Sequence, residues 1–395
     1  MTYINFKEER YKTELELTKR KKYTMNLYEK LKQNHCKIDE VYNEKYSYNI
    51  ISNRTINTTD AVDEAQFLEI RDENFFCAHF IKCKIYNIKF INCKFIGCIF
   101  EKCDFSGGGV IFENCTFMQE TLKKNPSLNL KENLSCMFID CIIYARFSNS
   151  TLSYCIFENT KFQNTSFEIC DLSHAIMKNI NFTKVEICDC DLRSIKVLYQ
   201  YMKDFKFNDK YKSTLDDKSF FDKLIVKHKT RSEYEGIYAI YEDIANEFNN
   251  NNLKNNFGEY YYLCKKTQRK TLKLLPKISS YIYWATSGYG ERIIASLITS
   301  LIIMVIFALI YMIFGVDFDG EIVRYISGEG IPHSILEAVA QYSESLNLSM
   351  SIFLGVGTSN SFPTYSSNIF FDMELIIGVV MLGIGIGTVT RKLIR

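Results

Sequence analysis

The sequence predicts a multidomain membrane protein: a β domain built on a five-residue repeat, then a helical connector, then a two-span α-helical domain with a re-entrant loop. Three observations carry this. Large apolar residues recur every five positions between Phe75 and Leu192, two uncharged stretches (Ile293 to Phe314 and Leu375 to Val389) lie near the C-terminus, and the run Phe353-Leu354-Gly355-Val356-Gly357 sits between them. The expected segments are 1–64, charged and helical; 65–195, the repeat; 196–292, the connector; and 293–395, the two-span domain, with spans at 293–314 and 373–390 and a short helix and loop at 340–363.

Composition limits the function classes. Lys+Arg 48 against Asp+Glu 46 leaves the chain near neutral, which argues against bulk nucleic-acid binding. The first residues are polar and show no signal-peptide core. The histidines, His35, His79, His174, His228 and His333, are scattered, and no phosphate loop, nucleophile elbow or zinc spacing is present. The expectation is a non-enzyme without a cofactor.

The repeat begins the folded part. Its centres are Phe75, Phe80, Ile85, Phe90, Phe95, Phe100 and Phe105, then, in unbroken register, Phe147, Leu152, Phe157, Phe162, Phe167, Leu172, Met177, Phe182, Ile187 and Leu192. A period of five suits neither helix nor strand and requires a coil that turns a corner every five residues. Two positions before each centre the residue is mostly small, and ten of the 14 cysteines fall there. With no histidine cluster beside them, these thiols read as small buried hydrophobes rather than as metal ligands. Cys36, Cys77, Cys188 and Cys264 fall outside the column and are the candidates for exposed reactivity.

This pattern resembles the pentapeptide-repeat family, whose fold is a right-handed quadrilateral β-helix with the large residue at the middle of each side. Some members of that family imitate DNA and bind topoisomerases through an acidic surface. Residues 65–195 carry 14 bases and 15 acids, a balance that argues against such mimicry.

In the connector, Ser232 to Phe248 and Phe257 to Leu275 show helical periodicity about the polar loop Asn249 to Asn252, which predicts a hairpin. The basic run Lys265, Lys266, Arg269, Lys270, Lys273 and Lys277 reads either as a solvated face or as a surface for anionic lipid headgroups.

The first apolar stretch has 22 residues, enough at about 1.5 Å per residue to cross a hydrocarbon layer of about 30 Å. The second is shorter and spans if Asp372 and Glu374 at one end and Arg391, Lys392 and Arg395 at the other reach the interfaces. Acids dominate from Val316 to Asp372 and bases from Leu253 to Arg292, which places the inter-span loop outside a cell membrane and both termini in the cytoplasm. Non-helical backbone at membrane depth must be shielded or line water, so the Gly355-Val356-Gly357 segment suggests a re-entrant loop. Alternating glycines permit positive φ, which lets successive carbonyls face one side, as a dehydrated ion requires. The competing reading is a pair of glycines that turn an external loop.

Thr286-Ser287-Gly288-Tyr289-Gly290-Glu291 imitates a potassium-filter signature, but no membrane-length stretch precedes it. With Tyr261, Lys265 and Arg269 upstream, Ser287 to Arg292 leading into Ile293 resembles bacterial pentapeptide-repeat proteins fused to a two-span, potassium-channel-like domain. That resemblance implies a pore helix at Ala340 to Met350, an ion filter of backbone carbonyls from Leu354, Gly355, Val356 and Gly357, and a homotetramer around the ion path, conducting K+ or Na+. Phe353 and Thr358 would flank the filter in place of its usual Thr and Asp, which weakens strict potassium selectivity. Trp284, Glu291 and Arg292 would form the gating linker. Glu374 would hydrogen-bond the pore helix or face water, and Gly383, Gly385 and Gly387 would pack a neighbouring helix or form a hinge. The rival expectation is a membrane-anchored scaffold whose β-helix binds a cytoplasmic protein or ligand.

Overall fold

The computed structural model describes residues 4–34, 42–57, 63–118, 134–357 and 361–394. The chain forms two compact units, Met1–Thr271 and Leu272–Arg395.

The first unit is a four-sided β-helix with helices packed on it. Its strands pair parallel, coil on coil: Phe75 opposite Phe95, Phe80 opposite Phe100, Lys84 opposite Asp104 and Phe90 opposite Phe112. Four different sides therefore complete each coil. One side is an 8-stranded ladder that starts at Ile50–Ser52 and ends at Phe220–Phe221. The column thus exceeds the expected limits of 65 and 195 in both directions. Ile51 opposes Phe80 below, while Met202, Phe205 and Phe221 continue the stack above. The pentad itself runs on through Val197, Met202 and Phe207, and at the lower end through Ile70; only beyond these does inserted chain break the count to Phe221 and Ile51 without breaking the ladder.

The core consists of stacked rings. Phe80, Phe100, Phe138 and Phe157 lie at successive centroid spacings of 5.0, 4.7 and 4.9 Å, and Phe90, Phe112, Phe147 and Phe167 form a second file. Burying each ring stabilises the coil by about 1.5–3 kcal/mol. The corners run left-handed: Asn87, Asn92, Asn149, Asn159 and Asn179 all have positive φ, a conformation asparagine tolerates better than most residues.

The cysteines fill the small positions of this column. Cys98 donates to the Phe75 carbonyl at 3.3 Å, Cys136 to Phe95 at 3.1 Å and Cys141 to Phe100 at 3.3 Å. All thirteen cysteines among the described residues are free and buried. The expectation of exposed thiols at Cys77, Cys188 and Cys264 is therefore corrected, and Cys36 lies outside the described residues. Burial pushes the Cys155 thiol up to about 12.

Helix α1 (Phe6–Asn34) lies along one side of the column, so the segment 1–64 is not a separate charged region. Helices α2 (Arg231–Asn250) and α3 (Lys254–Gln268) form the hairpin that caps the upper end. Thr230 caps α2 through Glu233 N–H at 3.2 Å, and Tyr241 and Tyr260 anchor the pair on the last strand by accepting from Leu224 N–H and Phe221 N–H. The second hairpin helix stops at Gln268 instead of reaching Leu275. A new helix, α4 (Leu274–Ser287), begins the second unit, because Pro276 lacks an N–H and is accommodated only in a first turn.

The second unit adds α5 (Ile293–Phe314), α6 (Ile335–Leu354) and α7 (Asn368–Ile394). Helices α5 and α7 are long and apolar enough to cross a membrane. Helix α6 packs against both and is longer than the expected 340–350. A small antiparallel sheet, Val316–Phe318 flanked by Glu321–Val323 and Ser361–Pro363, ties the segment after α6 to the end of α5.

Candidate functional site

The depth of α6 defines the site. Its C-terminal half is buried through Ser345, Leu348, Ser349, Ile352 and Phe353, whereas Ile335, Leu336 and Val339 at its start are exposed. Phe353 clusters with Met304 and Met381, which lie at the middles of α5 and α7. The helix therefore ends halfway along both long helices, and by Ser361–Pro363 the chain is again beside the end of α5. The chain thus descends as helix and is back at the end of α5 within a few residues.

Two residues hold that descent. The Tyr311 hydroxyl of α5 donates to Glu374 Oε2 at 2.7 Å, and Ser349 of α6 bonds the other oxygen of the same carboxyl. Ser349 also lies 2.9 Å from the Met304 carbonyl oxygen. Glu374 is fully buried and joins all three helices. Gly378 supplies the close approach: a Cβ there would stand 2.2 Å from the Phe353 carbonyl oxygen. Sequence reasoning missed Gly378, Tyr311 and Ser349, although a glycine facing an apolar helix was a visible signal of close packing.

The filter candidates divide. Phe353 and Leu354 are helical, and Phe353 packs in the core, so it does not stand where a filter side chain would. Gly355 caps α6 with φ +67°, and its N–H bonds the Ile352 and Ser351 carbonyls. Gly357 has φ +86°, and Val356 between them is 75% exposed. Leu354 is also largely exposed, so the run from Leu354 to Gly357 faces outward from the three-helix packing. Thr358 lies outside the described residues. The carbonyl end of α6, with its partial negative charge, is directed along this run. On the side of the small sheet, a cavity of about 590 Å³ is lined by Asp319, Glu321, Glu337, Glu344, Asn347 and Ser351.

Gly383, Gly385 and Gly387 of α7, expected as a packing face or a hinge, lie largely away from the other described helices of this chain. Among the described residues, and apart from the backbone of α7 itself, nothing lies within 4 Å of a Cβ at Gly383 or Gly387, and Gly385 meets only Ser296 at 3.8 Å. Close packing within the chain belongs to Gly378 instead.

The linker residues converge on the far end of α7. Gly288 ends α4 at φ +54°, and the turn Ser287 to Arg292 leads directly into α5. The filter-like Gly288-Tyr289-Gly290 is thus a helix-capping turn, with Tyr289 hydroxyl 2.8 Å from Ser280. Glu291 is fully buried and pairs with Lys392 at 3.2 Å and Arg391 at 3.6 Å. Arg292 folds its side chain over Gly288. Trp284 is exposed on α4, which also exposes Leu274, Leu275, Ile278 and Ile282. Of the basic run, Arg269 is buried and does not belong to an exposed surface.

Comparison with known proteins bears on the first unit. Residues 80–121 match the family model of pentapeptide repeats (9 copies). None of the curated proteins matches the chain. Solved structures similar to it include three of QnrB1, a plasmid-mediated fluoroquinolone resistance protein. One trypsin-treated variant is 19% identical over 42% of this chain and 70% of that chain, with a TM-score of 0.16. A second is 19% identical over 42% and 72%, with a TM-score of 0.14, and the full-length form is 13% identical over 42% and 92%, also at 0.14. The parallel ladders and this match make the N-terminal unit a β-solenoid that carries pentapeptide repeats.

Proposed function

We propose that the protein is an oligomeric cation channel of a cell membrane, with the pentapeptide-repeat unit as its cytoplasmic scaffold or regulatory domain. The observation that carries this reading is the end of α6 at the midpoints of α5 and α7, followed by the outward-facing run Leu354 to Gly357. Placed in a bilayer with α5 and α7 as spans, that run would sit near mid-depth, where exposed backbone is tolerated only beside water or protein. One such loop cannot surround an ion, so four copies around an axis would supply the carbonyl ring. The helix end and the acidic cavity favour cations, K+ or Na+, over anions. The apolar face of α4, with Lys273 and Lys277 beside it, suits a helix resting among anionic headgroups.

The second reading is a membrane-anchored pentapeptide-repeat scaffold without conduction. It is favoured by the confinement of the family match to the β-helix. Purification in detergent and planar-bilayer recording separate the two. The channel reading expects a fourfold particle and unitary cation currents that Gly355→Ala and Gly357→Ala abolish. A monomer that conducts nothing under any condition establishes the scaffold.

A further inference from the structure

Helix α1 covers an apolar row that a solvated β-helix face would not carry. Ile99, Met137, Ile156 and Ile176 stand directly opposite one another on four successive strands, and all are buried under α1 together with its Leu17 and Tyr28. The described part of the helix meets this row with few apolar side chains. Among the described side chains of this helix the buried apolar ones are Phe6, Leu17 and Tyr28, and Thr13 and Thr24 occupy inward positions between them.

Charge makes up the difference. Glu9 pairs with Lys196 at 3.2 Å, Glu14 with Lys178 at 3.1 Å, Lys21 with Glu158, and Arg10 with Asp222 at 3.2 Å. Glu158 and Lys178 are register partners on adjacent strands, so the column presents alternating signs that α1 answers with opposite ones. Arg20 adds a bond to the His174 carbonyl at 2.6 Å and stacks over Tyr154. Most of these pairs are partly exposed, and salt screens partly exposed pairs: the Debye length falls from about 30 Å at 0.01 M to about 3 Å at 1 M.

The position of Phe6 gives this docking a consequence. At the start of α1 it packs on Phe220 of the last coil and on Tyr260 of α3, at centroid distances of 5.5 and 6.1 Å. Helix α1 therefore ties the column to the hairpin that precedes the second unit.

We propose that α1 is an ionic-strength-responsive strap: rising salt weakens its ion-pair row, frees it from the β-helix, withdraws Phe6 from the hairpin and uncovers the Ile99 to Ile176 row. The apolar contacts set the baseline hold, and the charges set the response. This property belongs to the first unit alone, and its readout does not depend on conduction.

Hydrogen exchange of the full chain, followed by mass spectrometry in about 0.01 M and about 1 M KCl, tests it. Exchange across α1 is expected to rise about tenfold at high salt while the central coils stay protected, and sorbitol of equal osmolality is expected to leave α1 unchanged. Glu14→Lys should accelerate α1 exchange at low salt, and adding Lys178→Glu should restore it. Leu17→Ala should accelerate exchange at both salts while keeping the ratio. Salt-independent exchange of α1, an equal effect of sorbitol, or failure of the charge swap to rescue would overturn the proposal.

Discussion

Glu291 and Lys392 form a buried ion pair, 3.2 Å from Oε2 to Nζ, that joins the turn before α5 to the last turn of α7. The pair closes the second unit at the end opposite Glu374. Buried pairs are poor sources of net stability, yet losing one partner strands the other charge. Glu291→Ala is accordingly expected to destabilise the second unit by about 3–5 kcal/mol, and pairing it with Lys392→Met to recover part of it by removing the cation as well. Trp284 is the sole tryptophan, so its fluorescence during thermal unfolding reads this unit directly. An unshifted melting curve for Glu291→Ala would contradict the pairing.

The α7 glycines separate packing within the chain from packing between chains. Gly378→Ala puts a methyl into the Phe353 carbonyl and is expected to cost about 1–3 kcal/mol. Gly383→Ala and Gly387→Ala meet none of the described residues beyond α7 itself and should leave unfolding unchanged or slightly stabilised through the gain in helix propensity. Where copies assemble through that face, the same two substitutions lower the oligomer fraction in size-exclusion chromatography without lowering the melting temperature. Equal destabilisation by all three substitutions would refute the distinction.

The cysteine column predicts inert thiols. Ser150 occupies the same position and donates to the Phe112 carbonyl at 3.3 Å, and Thr160 likewise reaches Phe138 at 3.2 Å. Cys98→Ser should therefore keep its carbonyl bond and cost no more than about 1 kcal/mol, whereas Phe100→Ala in the adjacent ring file should cost about 3–5 kcal/mol. Thiol titration with an aromatic disulfide should find the thirteen described cysteines unreactive in the native protein and accessible in denaturant. Rapid native labelling of any coil cysteine would contradict their burial.

The β-helix was legible because its period of five fits no helix or strand, so the central Phe residues and ten of the 14 cysteines reported the same coil. Its ends were not, since Ile51 and Phe221 join the ladder through spacing that breaks the pentad. The docking of α1 was hidden for a different reason. Phe6, Leu17 and Tyr28 are too sparse among charges to announce a buried face, although the outward Ile99, Met137, Ile156 and Ile176 lay one coil apart awaiting a cover. In the second unit the two long helices and the intervening glycines were readable from composition. The contacts of Glu291 and Glu374 with distant residues were not, because an ion pair between a turn and a helix end leaves no periodic trace. Pro276 marked the break between α3 and α4 and was passed over in favour of continuous helical periodicity.

Glu247 gives the hairpin junction a pH dependence. Glu247 of α2 is 4% exposed and faces a cavity of about 360 Å³ lined also by Asp209, Lys212, Asp243 and Asn246. Its carboxyl accepts from Asn251 Nδ2 at 3.2 Å, and the Asp209 carboxylate opposite is held by the N–H groups of Asp189 and Ser213, both at 2.8 Å. Burial, reinforced by Asp209 and opposed by Asn250, Lys212 and Asn251, pushes the Glu247 carboxyl from its ordinary 4.5 up to about 7. The folded state therefore binds this proton more tightly than the unfolded chain does. Between pH 4.5 and about 7 the unfolded state holds fewer protons, so stability falls as pH rises through that window and levels off above it. Discounted for partial access to solvent, the change is about 1–3 kcal/mol. Glu247→Gln keeps a carbonyl acceptor for Asn251 and carries no charge, so it should flatten the slope and stabilise the junction at pH 8 by a similar amount. Hydrogen exchange of α2 measured across that pH range, corrected for the intrinsic rate, reads the junction locally. A slope unchanged by Glu247→Gln would place the titrating group elsewhere.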